Sequence, residues 1–170
     1  MKTWILAAIF LAACMVRPHA QFSELCDAAR DGDTAQIRQL AAKGADLNAP
    51  SGDNQWTPLL HAIHKHQTAS VGALLDAGAD ANRTGQDGVT PLMMAAGYGY
   101  DDAVRLLLQR GAKPDGALDW ALTGTTDIDR FTYFTCQDST VRLLRAAAPS
   151  LEPAAGARRW AKMKRCASSS

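Results

Sequence analysis

Apolar positions between residues 88 and 112 fall in two bursts separated by a glycine-containing break, and the same alternation returns on either side. In this stretch Leu92, Ala95 and Ala96 lie at helical spacing, and Thr90-Pro91 opens the helix they predict. Proline's fixed φ suits a first helical turn, where its missing amide leaves no bond unmade. Gly97 and Gly99 end that helix. Asp101 is placed to open a second one, as a carboxylate that caps the free amides of the next turn. Val104, Leu106, Leu107 and Leu108 form its apolar stripe. Gly111 ends it where left-handed backbone is needed.

The spacing is periodic. Thr57-Pro58-Leu59 stands 33 residues before Thr90-Pro91-Leu92, Leu74-Leu75-x-x-Gly78 stands 33 before Leu107-Leu108-x-x-Gly111, and Gly44-Ala45-Asp46 stands 34 before Gly78-Ala79-Asp80. A fixed period of this length is the mark of a stacked array. The unit resembles the ankyrin repeat, with its signature T-P-L-H-x-A. Thr57-Pro58-Leu59-Leu60-His61-Ala62 and Thr90-Pro91-Leu92-Met93-Met94-Ala95 match it except at the histidine position, which holds Leu60 and Met93. Losing that polar side chain predicts greasier packing between turns. The resemblance covers residues 22–148 and implies an all-α solenoid of stacked helix-turn-helix pairs with short hairpin fingers. About four repeats are expected over residues 21–148.

Residues 1–20 read as a targeting segment. Lys2 precedes thirteen apolar residues, Trp4 to Val16, with no charge until Arg17. This pattern is that of an export signal, and the run is too short to span a bilayer as a helix. Leu11-Ala12-Ala13-Cys14 resembles the lipobox of bacterial lipoproteins, which implies lipidation at Cys14. Cleavage after Ala20, giving a soluble exported chain, is the rival. Either route leads to the periplasm or cell envelope.

Export sets how the cysteines are read. With Cys14 lipidated, Cys26, Cys136 and Cys166 remain in an oxidising compartment. Cys136 precedes a helix expected at 139–148 and Cys166 follows one expected at 154–165, with Pro149 and Pro153 between them. Antiparallel packing would bring the outer ends together, so a Cys136 to Cys166 disulfide is expected, with a stabilisation of roughly 3 kcal/mol. Three unpaired thiols are the alternative.

Before the clear repeats comes a degraded one, with helices at 22–30 and 34–43 and the wetter outer face of a terminal cap. Residues 46–56 then form the connection that the resemblance makes a finger, ending on Trp56. That indole is read either as packing on the next finger or as an exposed anchor for a partner. His61, His64 and His66 invite a zinc reading, but their spacing is poor and no nearby carboxylate or thiol completes a four-ligand set, so no metal is expected. The resemblance instead places His64, Lys65, Gly97 and Tyr98 on the concave face, where such repeats bind partners.

After Gly111 the pattern breaks. Lys113-Pro114-Asp115 leads almost directly into Ala117 to Leu122, so a finger is missing, and residues 123–138 stand where a short turn belongs. This insertion, with Ile128, Phe131, Tyr133 and Phe134, is read as a plug over the end of the array, against the rival of a functional loop. Residues 149–170 form a capping helix, expected to dock by Trp160 and Met163, and a basic tail.

Charge sharpens the picture. Residues 21–157 hold 11 basic and 17 acidic groups, a net of −6, whereas Arg158 to Arg165 adds five basic ones. The tail either answers the acidic array or attaches to an anionic membrane surface, at about 1 kcal/mol per basic residue close to it. An exported chain disfavours nucleic acid as a partner. No nucleophile motif, phosphate-cradling loop, HExxH or paired carboxylates appear, so neither enzyme activity nor a cofactor is expected. The function expected is therefore recognition of a protein by a monomeric, lipid-anchored module, through Trp56, His64, Lys65, Asp87, Val89, Tyr98 and Tyr100. Narrower or rival roles are an inhibitor or immunity-type protein that blocks an envelope hydrolase or toxin, and a structural envelope lipoprotein.

Overall fold

The computed structural model describes residues 18–124 and 136–164. Among them run α1 (Pro18–Asp31), α2 (Thr34–Ala42), α3 (Pro58–His64), α4 (Thr68–Ala77), α5 (Pro91–Tyr98), α6 (Asp101–Gln109), α7 (Ala117–Thr123), α8 (Asp138–Ala147) and α9 (Ala155–Lys164). They pack as two parallel rows. The first helices of each pair, α1, α3, α5 and α7, contact in sequence and α9 extends that row; α2, α4, α6 and α8 form the other. The result is the all-α repeat solenoid that the 33-residue period predicts.

Each local signal has a visible role. Thr57 and Thr90 accept the N–H of Leu60 and Met93 at 3.3 and 3.1 Å, which closes the first turns of α3 and α5. Gly44, Gly78 and Gly111, at φ of 82°, 103° and 80°, reverse the chain after the second helix of each repeat. Any other L-residue would be strained in this conformation. Buried Leu25, Ile37, Leu59, Leu60, Ile63, Leu74, Leu92, Leu107, Leu118, Leu122 and Leu144 belong to one core that runs the length of the stack. At the position where the family signature carries histidine, Met93 Sδ accepts the Thr90 N–H at 3.5 Å and its methyl lies over Gly116.

A ladder of asparagine side chains bonded to backbone N–H groups joins successive repeats. Asn48 Oδ1 accepts the Asp80 N–H at 2.8 Å, and Asn82 Oδ1 accepts the Lys113 N–H at the same 2.8 Å, one repeat further on. Asp46 and Asp80 hold these asparagines by accepting the N–H of Asn48 and Asn82 at 2.9 and 2.8 Å. The Gly-Ala-Asp-x-Asn run is thus both a turn and a staple. It stops at Asp115, which stands in the place of the asparagine.

Several expectations need adjustment. Asp101 does not cap α6: Tyr100 is the N-cap residue and no side chain caps it, while the Asp101 carboxylate accepts a hydrogen bond from Thr140 Oγ1 on α8. It serves the contact between outer helices, where a buried hydroxyl needs an acceptor. Helix α1 begins at Pro18, earlier than the expected 22. The fingers carry one isolated antiparallel bridge, Ser51 to Trp56, and no strand among the described residues. Lys113 to Gly116 turns directly into α7, with the Ala117 N–H bonded to the Pro114 carbonyl at 3.1 Å. On the far side, the Gln137 N–H returns to the Ala121 carbonyl at 2.8 Å, which ties the start of α8 to α7. Helix α9 lays Ala157 and Ala161 into the core, and the Ala154 N–H donates to Asp119 at 2.8 Å. The leader with Cys14, the plug at 125–135, the side chains of Trp160 and Met163, and Cys166 lie outside the described residues. Cys136 is disulfide-bonded, while Cys26, the other described cysteine, is a buried free thiol.

Candidate functional site

The site starts from how one finger meets the next. The Ser51 and Trp56 backbones exchange hydrogen bonds of 2.8 and 3.1 Å, which brings Trp56 back to the base of the first finger. Its indole then lies against Gly85 of the second finger: a Cβ there would stand 2.6 Å from Trp56 Cδ1. Only glycine permits this approach without a shift. Trp56 Nε1 donates to Asp87 Oδ2 at 3.4 Å, Asp87 Oδ1 accepts the Val89 N–H at 3.1 Å, and the Gln86 N–H donates to the Asn54 carbonyl at 3.1 Å. Packing on the neighbouring finger is therefore one role of Trp56.

Its ring also begins an aromatic series across two repeats. Trp56 meets His61 edge-on, with centroids 5.7 Å apart, and His64 at 5.1 Å. His64 Nδ1 lies 3.1 Å from the Tyr98 hydroxyl; which atom donates follows from the imidazole tautomer. Tyr98 stacks on Tyr100 with centroids 5.1 Å apart, and Tyr100 stacks on His66 at 3.8 Å with an interplanar angle of 12°. A positive φ of 57° at His66 accompanies this placement. Trp56, His64 and Tyr100 are half-buried and His66 is exposed, so the series offers aromatic surface held by its own contacts.

Beneath the first finger lies a polar cluster. Ser51 Oγ sits 2.9 Å from Cys26 Sγ and 3.1 Å from His61 Nε2, joining α1, the finger and α3. Burial is the main reason that the Cys26 thiol is raised above its ordinary value and His61 lowered below its own. The Ser51 bond works against burial in both cases, and Asp27 and Arg30 add smaller effects of opposite sign. Cys26 thus stays a neutral thiol, 4 % exposed, and is a poor nucleophile.

Two hollows flank this cluster. The larger, about 740 Å³, is lined by Cys26, Asp27, Arg30, Asp46, Gln55 and His61 among others. The smaller, about 210 Å³, is lined by Arg30, Ser51, Gly52, Asp53, Asn54, Trp56, His61, His64 and Lys65. No group of three or more candidate metal ligands occurs among the described residues.

Of the residues expected to bind a partner, Trp56, His64, Tyr98 and Tyr100 form one connected series, and Lys65 joins Trp56 and His64 at the smaller hollow. Asp87 is exposed and orients the indole. Val89 is 7 % exposed and packs in the core, so it offers no surface; Tyr98, also 7 % exposed, backs the face rather than presenting area. Ser51, His61, His66 and Arg30 were not singled out as binding residues. Arg30 had a signal: it stands 34 residues before His64, at the equivalent place in the preceding repeat.

The fold finds its counterparts in known proteins. A family profile described as ankyrin repeats matches residues 25–116 as three copies, more than half of the chain. A putative ankyrin repeat-containing protein of Treponema pallidum is 36 % identical over 87 residues, which is 51 % of this chain and 29 % of that protein. Protein PhlB of Serratia liquefaciens is 38 % identical over 104 residues, 61 % of this chain and 44 % of its own length. The mouse 2-5A-dependent ribonuclease is 40 % identical over 73 residues, 43 % of this chain and 10 % of the enzyme. The chain thus spans less than half of each of these relatives. Among solved structures, the human ASB11 ankyrin repeat domain superposes with a TM-score of 0.59 at 25 % identity, covering 73 % of this chain and 53 % of that one. Such repeats form protein-protein interaction modules on a scaffold that is typically non-catalytic. With its period, its capped helix pairs and its stapled turns, the chain belongs to the ankyrin-repeat family.

Proposed function

We propose that this chain is a protein-binding module of the bacterial cell envelope that grips its partner with the concave face of the second and third repeats. One observation carries the reading: the aromatic series from Trp56 through His64, Tyr98 and Tyr100 to His66, held rigid by stacking and by the finger-to-finger contact. Rigid aromatic surface contributes contact area while losing little conformational entropy on binding, which is how interface anchors work. The identity between repeats is concentrated in caps and core, whereas Arg30, His64 and Gly97 differ at one equivalent place. That is where a partner is read.

Location in the envelope rests on the sequence: Lys2, the apolar run from Trp4 to Val16, and Leu11-Ala12-Ala13-Cys14. Lipidation at Cys14 would tether the array to a membrane, and a Cys136 to Cys166 bridge would suit that oxidising compartment. No helix among the described residues is long and apolar enough to cross a membrane. The test is affinity capture from detergent-solubilised envelope with the full chain beside a Trp56→Ala, Tyr100→Ala variant. A partner retained by the first and lost by the second, at a similar thermal midpoint, supports the reading, and that partner's own activity separates inhibitor from scaffold. Equal capture by both baits would leave the concave face as ordinary surface and favour a structural envelope role.

A further inference from the structure

The smaller hollow stands out for its charge. Arg30 at the end of α1 and Lys65 after α3 converge on a space of about 210 Å³, and neither forms an ion pair among the described residues. Asp53 is the one carboxylate in its lining, which His61, His64, Asn54 and Trp56 complete. This runs against the array as a whole, which carries 11 basic and 17 acidic groups over residues 21–157. The volume is that of a side chain, below the roughly 300 Å³ at which small-molecule pockets begin. Ser51 closes one wall with its hydroxyl engaged by Cys26 and His61, so the wall is already satisfied and fixed.

We propose that this hollow receives an acidic side chain of the protein partner, a Glu or Asp carboxylate set between Arg30 and Lys65 while a neighbouring apolar residue of the partner lies on Trp56. The inference rests on the concave-face reading and names the chemistry that face selects. A guanidinium and an ammonium together favour a carboxylate by charge-assisted hydrogen bonds, the guanidinium through two parallel N–H donors. The half-buried indole beside them lowers the local dielectric and strengthens that pairing. Cations placed at Arg30 and Lys65 come from two different repeats, so a carboxylate bound there also fixes the register of an extended segment along the face.

The test uses the full chain and two blocked peptides, acetyl-Leu-Glu-Leu-amide and acetyl-Leu-Gln-Leu-amide, with inorganic phosphate as a third probe, each followed by NMR. The Glu peptide is expected to move the Trp56 indole and the Asn54 and Lys65 amides saturably, with the Gln peptide about tenfold weaker or more. Arg30→Gln with Lys65→Gln should remove that preference and leave the thermal midpoint unchanged, since neither cation is paired. Equal binding of both peptides, or shifts that map elsewhere, would overturn the proposal. Phosphate binding as tightly as the Glu peptide would also overturn it, in favour of a small-anion site. In capture, a partner lost by Trp56→Ala, Tyr100→Ala but kept by Arg30→Gln, Lys65→Gln would sink the carboxylate pocket and spare the concave-face reading. A partner kept by both variants would sink the two together.

Discussion

The second and third repeats meet through helices, a turn staple and fingers; the third and fourth meet through helices and the staple from Asn82 to Lys113, with no finger contact. At the first joint Trp56 packs on Gly85, Gln86 bonds to Asn54, and the aromatic series crosses from His64 to Tyr98. At the second joint the finger is absent, Met93 lies over Gly116, and Gln137 reaches over Gly99. Both joints bury the same kind of leucine core. The difference teaches that the core assembles the stack, while fingers create a face: where they stand, aromatic and cationic side chains gather, and where they are missing a flexible methionine fills the space.

The strongest way to break this division is to truncate equivalent core leucines on either side. Leu59 in α3 and Leu118 in α7 follow Pro58 and Ala117 at the same helical position, and each is 1 % exposed. Leu→Ala at either should cost roughly 2 to 5 kcal/mol in denaturant unfolding. Similar losses would confirm that stability resides in the helices of both joints. A much smaller loss at Leu118 would mean that the fingerless end is loosely held.

Next in size is Gly85→Ala. The new methyl would meet Trp56 Cδ1 at 2.6 Å and Asp87 Oδ1 at 3.0 Å, so the indole must leave its place. A loss of about 1 to 3 kcal/mol is expected, with a changed Trp56 fluorescence and weakened partner capture. An unchanged indole environment would show that the finger-to-finger contact does not position the aromatic face.

A subtler contrast lies in the outer row. Thr140 in α8 gives its hydroxyl to Asp101 on α6, whereas Ser70, at the equivalent place in α4, is buried with no partner for its Oγ. Thr140→Val should therefore cost about 1 to 2 kcal/mol, and Ser70→Ala should cost nothing or stabilise by up to about 1 kcal/mol. Thermal unfolding of both variants checks the pair; a destabilised Ser70→Ala would mean that its hydroxyl is satisfied after all.

How much of this could be read from the chain follows from the range over which each signal acts. Helix starts at Pro58 and Pro91 and reversals at Gly44, Gly78 and Gly111 are local, so spacing alone places them. Asp101 misled because a carboxylate at a helix start serves equally as a cap or as an acceptor for a distant hydroxyl, and Thr140 lies 39 residues away. Val89 misled because finger positions look exposed until the finger folds back on the core. Trp56, His64, Tyr98 and Tyr100 were legible as a set because the repeat register maps them to one face. Their mutual order, and the entry of Ser51, His61 and Arg30 beneath them, depends on how the finger bends. No periodicity records that.

The smallest effect concerns His61 and tests whether the polar cluster under the first finger is part of that joint's stability. Burial, as the largest cause, holds its folded pKa below the ordinary value of 6.5, and Arg30 and His64 act in the same direction, against Ser51 and Asp27. The unfolded chain then takes up a proton at higher pH than the folded one. Stability from this site is accordingly complete above about pH 6.5, the unfolded value, and is lost as pH falls through the lower folded pKa. His61→Gln keeps a polar partner for Ser51 but cannot titrate. Its unfolding free energy should therefore vary less between pH 7 and 5 than that of the wild type. Parallel pH profiles would show that His61 does not carry the acid sensitivity, and would leave the Cys26, Ser51 and His61 cluster as neutral packing.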